Sequence, residues 1–331
     1  AYEIGVRLVG SEMCIRDRPP DLSSLLERLM RRRTLPLLLL AGLTATTGLT
    51  ACGSDSLSQP STSASAAASP SAAGKDDALA ARLPEKIKTA GKIVVGTDAT
   101  YAPNEFLDTD GKTVIGMDVD IFNAVAQKLG VTVEWVPAKF DSIILGVSSG
   151  KYDVGVSSFT INDKRKQQVN MVSYFNAGTQ WIVPKGNPKK VDPNNACGLN
   201  IGVQTGTVQA DEDLPAKSKA CVAAGKPAIN PIVDADQGKV TTSVISGKAD
   251  AMLADSPVGL WAAKETGGQL EAAGDIYDAA PYGFVIDKKQ TDFAQAIADA
   301  LKALDAAGNY KQALATWGNE SGAITDFKVN P

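Results

Sequence analysis

Ser158 and Asp255 occupy matching places in a short internal repeat. The segments VSSGKYDVGVSS and VISGKADAMLADS each run from a helix end through Gly-Lys into an apolar strand. Aligning Gly150 with Gly247 sets Ser158 opposite Asp255, so each strand finishes on a polar group. Open α/β sheets take ligands beyond the carboxyl ends of their strands, where a hydroxyl and a carboxylate can hydrogen-bond them. Two such lobes facing one another present both groups to one cleft. That chemistry is recognition, with nothing transformed. The match is short, and coincidence gives a plainer reading: Ser157 and Ser158 are strand-end hydroxyls bonded to backbone, and Asp255, ahead of Ser256 and Pro257, caps a helix.

The 331 residues include no histidine. The commonest general base and metal ligand is therefore missing, and with it any Ser–His–Asp or Cys–His site. The net charge is −4, with lysine and arginine scattered, which does not suit a nucleic-acid partner. The length predicts about two domains.

The cysteines locate the chain. From Met30 a basic start (Arg31, Arg32, Arg33) leads into an apolar run from Leu35 to Leu43 that fades by Leu49. The run is too short to span a membrane and has the layout of a secretory signal over 30–51. Its end, Leu49-Thr50-Ala51-Cys52, resembles a lipobox, so Cys52 is expected to be lipidated and to become the mature N-terminus. An ordinary cleavage site with an incidental cysteine is the alternative. Upstream, GSEMCIRDR resembles translated adapter text, so 1–29 is read as non-native and Cys14 is set aside. Residues 52–78, rich in Ser, Ala, Pro and Gly, read as a disordered tether. Cys197 and Cys221 remain, and in an exported chain they are expected to form a disulfide. Closing a loop of about 25 residues should stabilise the fold by roughly 3 kcal/mol. A zinc site would need further ligands that no histidine can supply.

The elements that must position these groups alternate strand and helix from Lys92, an α/β pattern. KIVVGTD, VTVEWV and YDVGVSSF read as strands. DVDIFNAVAQKLG carries Val119, Phe122, Val125, Ala126 and Leu129 on one helical stripe and stops at Gly130. FDSIILGVSSG reads as a helix. A second run has strands at NIGVQTGT, PAINPIV and ADAMLADS, with helices between them. Residues 291–318 read as one helix.

GTDATYAPNEF, GMDVDIFNAVAQKLG and KFDSIILGVSSGKYDVGVSSFTINDKR, in this order, resemble the polar-amino-acid family of bacterial extracellular solute-binding proteins (family 3) from Lys92 to the C-terminus. The resemblance implies the type II periplasmic-binding-protein fold: two α/β lobes joined by two hinge strands. Lobe 1 is expected at 79–184 plus 285–331 and lobe 2 at 185–284, with hinges near TQWIVPKG and PYGFVID. It also implies site roles. Arg165 would take the ligand's α-carboxylate, helped by Thr160. Thr207 and the backbone N–H of Val208 would add donors from lobe 2, Val208 standing where the family often has Thr or Gly. Asp255 would take the α-ammonium, helped by Ser158. Tyr101 and Phe140 would sandwich the aliphatic part, while Asp98, Ser157 and Gln204 would reach the side-chain end. Asn104 replaces an apolar residue common beside the cleft. Plainer readings stand beside these: Asp98 as a loop cap, Arg165 as a solvated helix charge, Tyr101 and Phe140 as core aromatics.

The family implies a non-enzymatic, cofactor-free and metal-free receptor. It would be an extracytoplasmic monomer, attached to the membrane only through its lipid, delivering a polar or basic amino acid to ABC importer permease subunits. Asp98 points to side chains with N–H donors: arginine, lysine, ornithine, glutamine or histidine. Two alternatives use the same fold. A cyclohexadienyl-dehydratase-like enzyme would need a carboxylic acid placed for proton transfer, for which Glu105 and Asp98 are the candidates. A ligand-sensing module would be expected to continue into a transmembrane helix.

Overall fold

A computed structural model of the chain describes residues 74–331. The expected signal segment, the Cys52 lipidation site, the upstream stretch and most of the tether lie outside the described residues.

Asp76 caps helix α1 (Asp77–Ala80) by accepting from the N–H groups of Ala78 and Leu79, so this helix starts two residues ahead of the expected body. Helix α2 (Glu85–Ala90) leads into strand β1 (Lys92–Thr97). A small sheet of β2 (Thr100–Tyr101), β3 (Glu105–Leu107) and β4 (Val114–Ile115) precedes α3 (Met117–Lys128). Then come β5 (Thr132–Pro137), α4 (Phe140–Ser148), β6 (Val154–Thr160), α5 (Asp163–Gln168) and the long β7 (Val169–Pro184). The second run is β8 (Asn200–Gln204), a π-helical turn (Gln209–Asp213), α6 (Leu214–Ala223), β9 (Asn230–Asp234), α7 (Gln237–Ile245), β10 (Ala251–Asp255) and α8 (Ser256–Glu265). Strand β11 (Leu270–Asp287) returns to the first run, followed by α9 (Thr291–Ala306) and α10 (Asn309–Thr316). The single helix expected over 291–318 is broken because Gly308 takes φ 84°, a left-handed conformation that ends α9.

One eight-stranded sheet runs in the order β5-β1-β6-β11-β7-β10-β8-β9. Within each lobe the strands are parallel: β5, β1 and β6 in the first, β10, β8 and β9 in the second. The antiparallel pair β7 and β11 joins them. Parallel strands need both faces covered, and both lobes comply. In lobe 1, α3, α9 and α10 pack one face through residues such as Phe122, Ile297 and Leu314, and α4 packs the other through Phe140, Ile143 and Val147. In lobe 2, Leu214 and Cys221 of α6 cover one face, and Val240 and Val244 of α7 the other.

The expected hinge segments, 179–186 and 281–287, fall toward the ends of β7 and β11, the pair that joins the two runs. Thr179–Ile182 of β7 already pairs with β10, and Trp181 and Val183 pack in the core of lobe 2. Tyr282 of β11 already pairs with Thr160 of β6. The ladder between β7 and β11 slips in register between Ala273 and Ala280. A hinge hidden inside two continuous strands leaves no turn residue to mark it.

Cys197 and Cys221 are joined by the expected disulfide, with Cα atoms 5.5 Å apart. No helix among the described residues is long and apolar enough to cross a membrane.

Candidate ligand-binding site

The carboxyl ends of β1, β6, β8 and β10 converge, and the polar residues at or just beyond those ends meet there. Asp98 follows β1. Ser157, Ser158 and Thr160 close β6. Gln204 ends β8, with Thr207 and Val208 in the turn after it, and Asp255 ends β10. With Tyr101, Phe140 and Arg165, every residue expected to contact the ligand lines one enclosed cavity. The lobes are nearly closed over it, leaving a free volume of about 10 Å³. Gln209 also lines it and was not singled out.

Arg165 reaches the cavity because TINDKR starts a helix: the Asn162 side chain accepts from the Arg165 N–H at 2.9 Å, and Asp163 suits the first turn. The guanidinium is buried rather than solvated. It donates to Thr160 O at 2.7 Å and, across the cleft, to Gly206 O at 3.1 Å. Those bonds use two of its five donors and fix its plane, leaving the others for an anion. The Phe140 and Phe159 rings lie 5.4 and 5.5 Å from it. Burial lowers the Arg165 pKa, and the Asp255 carboxylate is the largest opposing influence.

Asp255 stands at the N-cap of α8, but its carboxylate makes no cap bond. It accepts instead from Gln209 Nε2 and from the Tyr282 hydroxyl, both at 2.7 Å. Burial raises its pKa, and the Tyr282 and Gln209 bonds oppose that. Tyr282 was also missed, since it lies in a hinge strand whose sequence reads as core. Gln209 carried a faint signal, one place beyond the Thr207-Val208 turn.

Asp98 accepts from Thr100 Oγ1 at 2.8 Å and from Gln204 Nε2, across the cleft, at 2.7 Å. Burial pushes its carboxyl up to about 6, and the Thr100 hydrogen bond is the largest influence pulling it down. Tyr101 is buried, with its hydroxyl 3.4 Å from the Asp255 N–H of the other lobe. Phe140 stacks on Phe159 at 4.6 Å, so it is at once a core aromatic and a wall of the cavity. The Thr207 hydroxyl is turned into its own loop, donating to Gln204 O at 2.8 Å and accepting from the Ala210 N–H.

The floor is a buried polar network. Ser157 Oγ accepts from the Asp98 N–H and donates to Glu105 Oε1, each at 3.0 Å. Ser158 adopts φ 52°, rare for a residue with a side chain. Its N–H donates to Asp118 Oδ2 at 3.1 Å, and Asn104 Nδ2 donates to its hydroxyl at 2.9 Å. Glu105, Asn104 and Asp118 are buried and do not line the cavity. The site therefore offers a fixed guanidinium from one lobe, a carboxylate from the other, and hydroxyl and amide groups between them. No cluster of metal-ligating side chains occurs among the described residues.

Residues 93–320 match the family model described as "Bacterial extracellular solute-binding proteins, family 3". The chain is 34% identical over 252 residues to the arginine-binding protein ArgT of Corynebacterium glutamicum, covering 76% of this chain and 82% of that one. Among solved structures it is similar to an ancestral arginine-binding protein bound to arginine. There the TM-score is 0.63 and the identity 31%, over 69% of this chain and 98% of the other. It is also similar to the ancestral amino acid-binding protein AncCDT-1, a precursor of cyclohexadienyl dehydratase. The TM-score is 0.61 and the identity 31%, over 70% and 98% of the two chains.

Proposed function

Because the chain belongs to the bacterial extracellular solute-binding proteins of family 3, we propose that it is the receptor of an amino-acid ABC importer, closing two lobes on one amino acid and presenting it to the permease. The observation that carries this reading is the placing of Arg165 and Asp255, from opposite lobes, on one buried cavity. A free amino acid carries one carboxylate and one ammonium on the same carbon, and such a pair of opposite charges recognises both. Arg165 and Thr160 hold the carboxylate, and Asp255, positioned by Gln209 and Tyr282, holds the ammonium. Charge-assisted bonds of this kind are worth about 1.5–3 kcal/mol each.

Asp98, Ser157 and Gln204 meet the ligand's side chain, with Tyr101 and Phe140 on its aliphatic part. A buried carboxylate with no cation among its hydrogen-bond partners favours a side chain that brings N–H donors or positive charge, and arginine heads that class. The similar arginine-binding proteins support the same choice. The reading places the body outside the cytoplasm, and lipidation of Cys52 would tether it to the outer face of the membrane. Mass spectrometry of the membrane-bound protein tests the anchor: a chain without lipid on Cys52 removes it.

The similarity to a dehydratase precursor raises the enzyme alternative. A general acid must reach the substrate within hydrogen-bond distance. Of the two candidate acids, Glu105 sits behind Ser157 and Ser158, outside the cavity lining, whereas Asp98 lines the cavity with its two oxygens taken up by Thr100 and Gln204. Calorimetry of ligand-stripped protein against a panel of amino acids and prephenate tests the choice. The reading requires tight binding of an amino acid with no product formed, and turnover of prephenate overturns it.

A further inference from the structure

Directly behind the cavity floor, Glu105 of β3 and Asp118 of α3 are fully buried and flank one hydroxyl: Ser158 Oγ lies 3.3 Å from Glu105 Oε2 and 3.2 Å from Asp118 Oδ2. Two buried carboxyls this close, with no cation beside them, cannot both ionise without a large cost, so one proton stays with the pair. The remaining contacts decide where it resides. Asp118 Oδ2 receives the Ser158 N–H at 3.1 Å, the Ser158 hydroxyl at 3.2 Å and the Tyr174 hydroxyl. That is the donor set of an ionised carboxylate. Asp118 Oδ1 is buried with no hydrogen-bond partner, which leaves it free to accept a proton. Glu105 itself is met only by hydroxyls, Ser157 at 3.0 Å and Ser158 at 3.3 Å.

We propose that Glu105 and Asp118 share one proton and act as a positioning pair for Ser157 and Ser158. The pair draws both hydroxyl protons away from the cavity, so that the serine lone pairs face the ligand's N–H groups. A hydroxyl has one proton and two lone pairs. Ser157 commits its proton to Glu105 and one lone pair to the Asp98 N–H. Ser158 directs its proton at the carboxyl pair and one lone pair to Asn104 Nδ2. Each serine keeps one lone pair, and both line the cavity. Asp118 also secures the left-handed backbone of Ser158 through its N–H, which fixes where that lone pair points.

The surroundings agree. Burial is the largest influence on both carboxyls, holding Glu105 well above its ordinary range and raising Asp118 to about 6 against the bonds from Tyr174 and Ser158. The titratable groups facing the pair are Asp98 beyond β1, Tyr101 on β2 and Tyr174 on β7, none of them cationic. An uncompensated second negative charge there would be costly.

This inference rests on the binding site proposed above, and its tests keep the two apart. In ligand-free protein labelled with 13C at the glutamate carboxyl, NMR at neutral pH should show one resonance in the protonated range, absent from Glu105→Gln. Glu105→Gln can donate to Asp118 through its amide while accepting from Ser157, and should bind arginine within about threefold of wild type. Glu105→Leu fills similar space without those bonds and should lose about tenfold or more, one charge-assisted hydrogen bond. Circular dichroism monitors folding of both. Fully ionised glutamates at neutral pH overturn the proposal, as does a Glu105→Gln loss as large as that of Glu105→Leu. The NMR result stands whether or not the leucine variant folds. Undiminished arginine binding by Arg165→Ala would instead overturn the site assignment and leave the shared proton untouched.

Discussion

Asp98→Asn separates recognition of the amino-acid backbone from recognition of the side chain. Burial moves the Asp98 carboxyl from its ordinary 3.8 to about 6. At about 1.4 kcal/mol per pKa unit, ionising it inside the closed protein costs about 3 kcal/mol. The folded pKa is the higher one, so the cost is absent below about pH 4, grows between pH 4 and 6, and is full above that. Three results follow. Ligand-free Asp98→Asn should be more stable than wild type at pH 7 by up to about 3 kcal/mol, a gap that closes near pH 4. A ligand with a cationic side chain returns this cost on binding, so the variant should bind arginine about 30–150-fold more weakly, or roughly 2–3 kcal/mol. Glutamine, which is neutral there, should change by no more than about threefold. Wild type should also lose about tenfold in arginine affinity between pH 7 and pH 5, as Asp98 takes up a proton. Calorimetric titration with both ligands at both pH values, with urea unfolding alongside, measures all of this. Equal losses for arginine and glutamine, or arginine affinity that is flat over that range, refute the reasoning.

Gly206→Ala should impair closure: the residue sits at φ 77°, and an added Cβ would lie 2.9 Å from Asp141 Cβ in the other lobe. Arginine affinity should fall at least about tenfold with the fold intact. Tryptophan fluorescence can follow closure, because Trp261 of lobe 2 lies 6.3 Å from Trp317 of lobe 1, centroid to centroid. Replacing Cys197 and Cys221 together by Ser should lower stability to urea by roughly 3 kcal/mol. Arginine binding should change little, since neither cysteine lines the cavity.

Ser158 and Asp255 were legible as strand-end polar groups in the internal repeat, while the other cavity residues were legible only through the family resemblance of the motifs that carry them. The Gly150/Gly247 register was sound, since Ser158 and Asp255 do meet one cavity. What escaped were side chains that act from within apolar-looking segments. Tyr282 donates to Asp255 from a hinge strand that reads as core. Asp118 opens an amphipathic helix, where it looks like a first-turn acid stabilising the helix dipole. Gln209 lies in a π-helical turn, where the helical period that would have placed it fails. The exact lobe boundaries are not marked by any turn residue, because β7 and β11 run as continuous strands. Asp255 shows the opposite error avoided: it occupies an N-cap position, yet its carboxylate is committed to Gln209 and Tyr282.

The central claim, that Arg165 and Asp255 together recognise a free amino acid, is tested most directly by titrating arginine into wild type and Arg165→Ala, both stripped of ligand and shown to be folded by circular dichroism. Losing the carboxylate partner leaves a desolvated ligand charge unpaired, at about 3–5 kcal/mol or two to four decades of affinity. Arg165→Ala should therefore show no measurable binding where wild type binds. Binding by Arg165→Ala within about threefold of wild type would contradict the account.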